Sequence, residues 1–223
     1  MPVHLQKELE RLKKRILSLG AMVEERVRMA ARALEQRDPV TAEQIIATDY
    51  EIDELEVEVE EECLKILALH QPVAVDLRFL TAVVKINKDL ERIGDEAVNI
   101  ADCVAVISRK TPLDVSLGFG PMAEKAQSMF KKSLDALVNL DLDEAFRVLT
   151  LDDEVDQIYR SISHQVKDMI RRTPDRVECL INLLMISRYL ERIADHATNI
   201  AEEVVYMIEG EIIRHGKWDQ PEA

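Results

Sequence analysis

Two short acidic patterns hold most of the chemistry available to this chain. Asp49 and Asp53 stand four residues apart, as do Glu91 and Asp95, and the arrangement returns as Asp152 and Asp156 with Glu191 and Asp195. Residues at that spacing stack on one face of a helix. Asn99 and Asn199 lengthen the Glu91/Asp95 and Glu191/Asp195 stripes by one turn, giving acid, acid, amide. Like charges so placed repel, at a cost of roughly 0.2–0.5 kcal/mol per pair, so they need a cation or full solvation. All-oxygen donors suit Mg, Ca, Mn or oxidised iron, and zinc also accepts carboxylates. Four acids exceed what one divalent ion requires, which favours a cluster of several ions. An isolated acidic pair would read more simply as a solvated charge beside Lys88, Arg92, Arg188 or Arg192.

Catalytic machinery is not evident. The Glu-x-x-His pair of a ferritin-like di-iron bundle is missing, because Ala194 lies three residues after Glu191 and His196 follows Asp195 directly. His196 has Glu96 as its counterpart, so it is expected at the surface or in a supporting position. No phosphate-cradling loop, nucleophile elbow or His-Glu-x-x-His motif occurs. No catalytic residue is nominated, and the competing reading is a phosphohydrolase or phosphate-handling protein that works through the same carboxylates.

The elements that must position these acids are helices. Leu5, Leu9, Leu12, Ile16, Leu19 and Val23 recur at steps of three or four, the signature of one amphipathic face. This helix should stop at Asp38-Pro39, with Asp38 capping the next helix and Pro39 in its first turn. A second helix is expected to about residue 70, where Gln71-Pro72 breaks it, and a third over about 73–108. After a stretch with Pro112, Gly118, Gly120 and Pro121 the pattern repeats. Helices are expected to about residue 140, over 141–172, and from about 175 to 214, with a break at Thr173-Pro174.

The two halves are one unit written twice. Residues 90–102 match residues 190–202 at nine of thirteen positions, a spacing of 100, while Asp49 to Asp53 match Asp152 to Asp156 at a spacing of 103. Each acid pair lies about twenty residues from its hairpin turn, so at ~1.5 Å rise per residue the pairs of antiparallel neighbours should sit within ~3 Å of the same height. Duplication and equal heights together favour the cation over the solvated charge pair. The expected fold is all-α, two tandem pseudo-symmetric three-helix bundles: residues 1–110, a linker over 111–121, a second bundle over 122–216 and a tail over 217–223.

Composition agrees. The chain has 223 residues, 47% hydrophobic but only 4% aromatic, which suits helices packed through aliphatic side chains. Forty-three acids against 29 bases give a formal charge of −14, which repels a nucleic-acid backbone and argues against direct nucleic-acid binding. Cys63, Cys103 and Cys179 are odd in number and far apart, reading as small buried residues in a reducing compartment. No stretch is apolar enough for a membrane span or a secretory segment, so a cytoplasmic protein is expected.

These residues resemble the PhoU family. The likeness rests on Glu91-Arg92-Ile93-Gly94-Asp95 with Asn99-Ile100-Ala101, on Glu191-Arg192-Ile193-Ala194-Asp195 with Asn199-Ile200-Ala201, and on Tyr206-Met207-Ile208-Glu209-Gly210, and it covers nearly the whole chain. The resemblance implies two three-helix bundles that bind multinuclear iron or zinc clusters, and a dimer. It also implies a non-enzymatic negative regulator of phosphate homeostasis, linking the ATPase of the high-affinity phosphate ABC transporter to a sensor histidine kinase at the inner face of the membrane. The metal positions it implies are Asp49, Asp53, Glu91, Asp95, Asp152, Asp156, Glu191 and Asp195, with Asn99 and Asn199 beside them.

Overall fold

The computed structural model describes residues 3–111 and 117–213, with the side chain of Val3 left aside. Residues 112–116 of the expected linker and the whole 217–223 tail therefore lie outside the described residues. The fold is all-α, two three-helix bundles, with helices α1 (Val3–Gln36), α2 (Pro39–Ala47), α3 (Tyr50–His70), α4 (Val75–Ser108), α5 (Phe119–Asn139), α6 (Leu142–Arg172) and α7 (Val177–Glu209). In the first half α1, the broken rod α2–α3 and α4 pack together; in the second, α5, α6 and α7 do. The halves join along α4 and α7, with α1 against α5 beside them.

Local sequence explains the punctuation. The Asp38 side chain accepts from the Val40 N–H at 3.0 Å and Asp141 accepts from the Glu144 N–H at 3.0 Å, so both second rods begin with the expected cap. Gln71 takes a left-handed conformation (φ 45°) and closes α3 before Pro72. The last helix ends at Glu209 rather than near residue 214, because Gly210 adopts φ 80° and its N–H bonds to the Tyr206 carbonyl. The second bundle's first helix begins earlier than expected, at Phe119: a proline in the first turn, here Pro121, removes no intrahelical hydrogen bond.

One rod differs from expectation. The second helix of the first half is interrupted at Thr48-Asp49, whereas its repeat α6 runs unbroken through Leu151-Asp152. The cause sits on α1. Arg26, 5% exposed, donates to the Ile45 carbonyl at 3.0 Å and the Thr48 carbonyl at 3.1 Å, and also to the Thr48 hydroxyl. Those bonds give each backbone oxygen at the break a second donor beside its longer local one, the Thr48 N–H for Ile45 at 3.4 Å and the Glu51 N–H for Thr48 at 3.3 Å. At the spacing of 103 the counterpart of Arg26 is Met129, fully buried and with no donor to offer, and the counterpart of Thr48 is Leu151.

The core is aliphatic and continuous between the halves, running from Leu12, Ile16 and Leu19 on α1 to Phe130, Leu190 and Ile200. Each such fully buried side chain contributes roughly 1.5–3 kcal/mol relative to exposure. All three cysteines are buried and free. Gly94 is packed so closely that a Cβ there would approach Ile52 Cδ1 to 3.1 Å, so its smallness serves helix contact. The counterpart pair, Val155 and Ala194, trades a smaller residue for a larger one, in keeping with a filled interior.

Candidate metal centres and the joint between the halves

In the first half Asp49 stands at the start of α3 beside the break, Asp53 one turn on, and Glu91 and Asp95 on α4. They act on one another electrically. Burial raises the Asp49 carboxyl above the usual carboxylate range, with Asp53 and Glu91 adding to the rise and Arg26 opposing it. Burial, then Glu91, Asp49, Asp53 and Glu96, push Asp95 up to about 6. Glu56, a turn beyond Asp53 on the same stripe, belongs with them: it is raised by burial first, opposed by Lys88, and raised further by Glu60, Glu91 and Asp53. Sequence reading missed Glu56, although its i+3 spacing from Asp53 was the available signal.

The second half repeats the set. Burial, followed by Asp195 and Asp156, pushes Asp152 up to about 6, against a long hydrogen bond from Thr198 at 3.4 Å. Glu191 is raised by burial and then Asp195, with Arg188 opposing. Asp195 is raised by burial and then Asp156, with His196, Arg188 and Arg192 opposing. Each bundle thus gathers acids from two neighbouring helices close enough to feel each other's charge. The burial effect on Asp95 and Asp195 acts through the neighbouring helices although both residues are exposed.

The compensating cations are fewer than the acids and partly unexpected. Lys88 Nζ lies 2.9 Å from Glu91 Oε2, an ion pair within one turn of α4. Arg160 meets Asp156 at 2.7 Å. Arg188 lies over the Tyr159 ring, 6.0 Å from its centre, at positions matching Lys88 and Glu56 in the other half. Arg192 turns instead to the buried Glu96 at 2.9 Å. Glu191 Oε2 is buried with no hydrogen-bond partner.

The donor set fits a hard cation in kind: oxygen only, four acids per half, and in Glu191 an orphaned buried oxygen aimed at no protein donor. As the side chains stand, no three acid, imidazole or thiol groups among the described residues are arranged to grip one ion. A cation would have to draw the carboxylates of neighbouring helices inward by rotamer changes.

Asn199 and His196 bond across the joint between the halves, and Asn99 bonds to the buried Glu96 on its own helix. Asn99 Nδ2 donates to Glu96 at 3.2 Å, and Asn199 Nδ2 donates to Asp89 Oδ1 at 3.1 Å across to α4. His196, expected at the surface or in a supporting position, is 7% exposed and bonds through Nδ1 to Asp89 at 2.9 Å. Lys85 Nζ reaches both oxygens of Glu203 at 3.0 Å and sits over the Tyr206 ring. These contacts have pseudo-symmetric partners of other chemistry: at a spacing of 100, Lys85 and Glu203 become Met185 and Cys103, and Asp89 and His196 become Tyr189 and Glu96.

Fold and site together define a duplicated helical-bundle protein with one acid cluster per bundle and a polar joint between them. The PhoU domain pattern matches residues 16–104 and again 120–204. The chain is 37% identical, over 92% of its length and 94% of the other's, to a phosphate-specific transport system accessory protein PhoU homolog of Clostridium acetobutylicum. It is 36% identical to that of Aquifex aeolicus, over 95% and 96%. The crystal structure of PhoU from Pseudomonas aeruginosa superposes with a TM-score of 0.90 at 34% identity, covering 92% of this chain and 99% of that one. The phosphate transport system regulatory protein PhoU from Streptococcus pneumoniae gives 0.85 at 30% identity, over 93% and 98%. The chain belongs to the PhoU family. No helix among the described residues is long and apolar enough to cross a membrane.

Proposed function

We propose that this chain is a cytoplasmic, non-enzymatic regulator accessory to a phosphate-specific transport system, coupling the transporter's ATPase to a sensor histidine kinase. The observation that carries the reading is 36% to 37% identity, over more than nine-tenths of both chains, to accessory proteins of that system. The acid clusters are the working parts of the proposal. Asp49, Asp53, Glu91 and Asp95 in one half, and Asp152, Asp156, Glu191 and Asp195 in the other, would hold metal ions, iron or zinc by family likeness. Bound metal supplies concentrated positive charge that offsets carboxylate repulsion. The chain's own residues then do the rest: α3 with α4, and α6 with α7, present their acids to a shared site, while Lys88 and Arg188 at the rim limit the remaining negative charge. The polar joint along α4 and α7 fixes one half against the other, so the bundles present rigid outer faces to partners.

The test is co-purification of the chain with the transporter ATPase and the sensor kinase, at high and at low phosphate. Association with either, changed by phosphate, is expected; no association under both conditions overturns the reading. Reproducible hydrolysis of phosphate esters by metal-loaded protein, abolished in Asp95→Ala, would overturn its non-enzymatic part.

A further inference from the structure

The outer face of α3 differs from that of its repeat in a way neither the core nor the acid clusters require. Tyr50, Val57 and Leu64 recur every seventh residue and are 56%, 50% and 56% exposed. Ile52, Val59, Cys63 and Ile66 fill the core side of the same helix. At 3.6 residues per turn the exposed row lies on average about 150° from them, so it is a seam turned toward solvent. Exposed Glu54 and Glu61 border it on one side and Glu60 on the other, and α3 as a whole has eight acids against one lysine, Lys65.

The duplicated half supplies an internal control. The positions 103 residues on are Asp153, Arg160 and Lys167 on α6, all exposed and all charged. A solvated helix face in this fold therefore manages without an apolar row. Singly scattered exposed apolar residues need no explanation, but three in heptad register form half of a helix-pairing seam.

We propose that the outer face of α3 docks a positively charged amphipathic helix of a partner protein. The partner lays aliphatic side chains along Tyr50, Val57 and Leu64, and its lysines or arginines meet Glu54, Glu60 and Glu61. Charge decides the occupant. A second copy would set one acidic α3 against another. The outer face of α6 has no apolar row, and its Arg160 and Arg171 are already paired with Asp156 and Asp168. An anionic bilayer is repelled by the same acids. The inference holds for any protein partner and does not rest on the regulatory reading above.

The probe is a fluorescent designed helical peptide with leucine and isoleucine along one seam and lysine on its flanks, titrated into the full chain and followed by anisotropy. A second peptide has glutamate in place of each lysine. Binding of the lysine peptide is expected, weakened about tenfold or more by Val57→Lys/Leu64→Lys and by the uncharged Val57→Ser/Leu64→Ser. Binding should also weaken when salt rises from about 0.05 M to about 0.5 M. Lys167→Ala should leave binding unchanged, and all variants should keep the wild-type circular-dichroism melt. Four results would overturn the proposal: no binding of the lysine peptide, equal binding of the glutamate peptide, indifference to the α3 substitutions, or self-association of the chain that those substitutions abolish.

Discussion

The two bundles retain the same four acids and differ in much of what surrounds them. Around Asp49 the rod is broken and a buried arginine from α1 ties the loose ends, so a cation stands near the acids. Around Asp152 the rod is continuous, with Met129 and Leu151 where the other half has Arg26 and Thr48. Glu56 with Lys88 becomes Tyr159 with Arg188. The joint is equally lopsided, with Lys85–Glu203 and Asp89–His196 on one side of the pseudo-twofold and Met185, Cys103 and Tyr189 on the other. Packing and ion pairs were thus free to vary, whereas the placement of carboxylates on paired helices was not. A site whose value lies in its donors accounts for that division better than one whose value lies in its supports.

The comparison can be broken most forcefully at Arg26. Arg26→Met removes the side-chain donors to the carbonyls of Ile45 and Thr48, leaving each only its longer backbone partner, and should cost on the order of 2 kcal/mol of unfolding free energy in urea titration. Arg26→Met/Thr48→Leu copies the second half and should recover most of that loss, with slower amide exchange across residues 45–52 as α2 and α3 fuse. A double variant no more stable than the single one would contradict the explanation of the break.

A smaller effect distinguishes repulsive clusters from ordinary surface acids. Asp95 and Asp152 have folded-state values near 6, above those of an unfolded chain, so each ionised carboxylate destabilises the metal-free fold. That destabilisation is fully present above about pH 6 and disappears as pH falls toward the unfolded value near 4. Metal-free protein should therefore gain stability as pH is lowered from about 7 to about 4.5, and Asp95→Asn should remove part of the gain while stabilising the protein at pH 7. A melting temperature that falls steadily over that range, alike in wild type and variant, would show that the acids do not strain the fold.

The smallest effect concerns the tight contact on α4. Gly94→Ala gains about 1 kcal/mol of helix propensity but crowds Ile52, so the net change should stay within about 0.5 kcal/mol. Gly94→Ala/Ile52→Val, which follows the volumes of the second half, should be more stable than Gly94→Ala alone. Thermal melts of the two variants decide it.

Much of this architecture is readable from the chain because its causes are local. The Asp38-Pro39 start, the Gln71-Pro72 stop and the repeat of Glu91-Arg92-Ile93 as Glu191-Arg192-Ile193 are short-range signals, and helical rise alone brings the acid pairs to one height. What escaped reading depends on contacts between distant residues. No glycine or proline marks the break at Thr48; it exists because Arg26, on another helix, supplies donors there. Glu96 and His196 look like surface residues on a wheel of α4 or α7 alone. They are buried because those two helices pack against each other, a pairing that only the assembled halves create. Glu56 was within reach, a turn from Asp53, but one acid among eight on α3 does not stand out.

The central claim is that each half holds a carboxylate cluster whose charge a metal offsets. The direct measurement is metal content per chain, by elemental analysis of untagged protein reloaded with iron or zinc, alongside its melting temperature. Wild type should bind metal in both halves and melt higher when loaded. Glu91→Gln/Asp95→Asn and Glu191→Gln/Asp195→Asn should each lose about half of the metal, and the combined variant nearly all of it together with the rise in melting temperature. Equal metal content in wild type and the combined variant, or a melt indifferent to loading, would contradict the account.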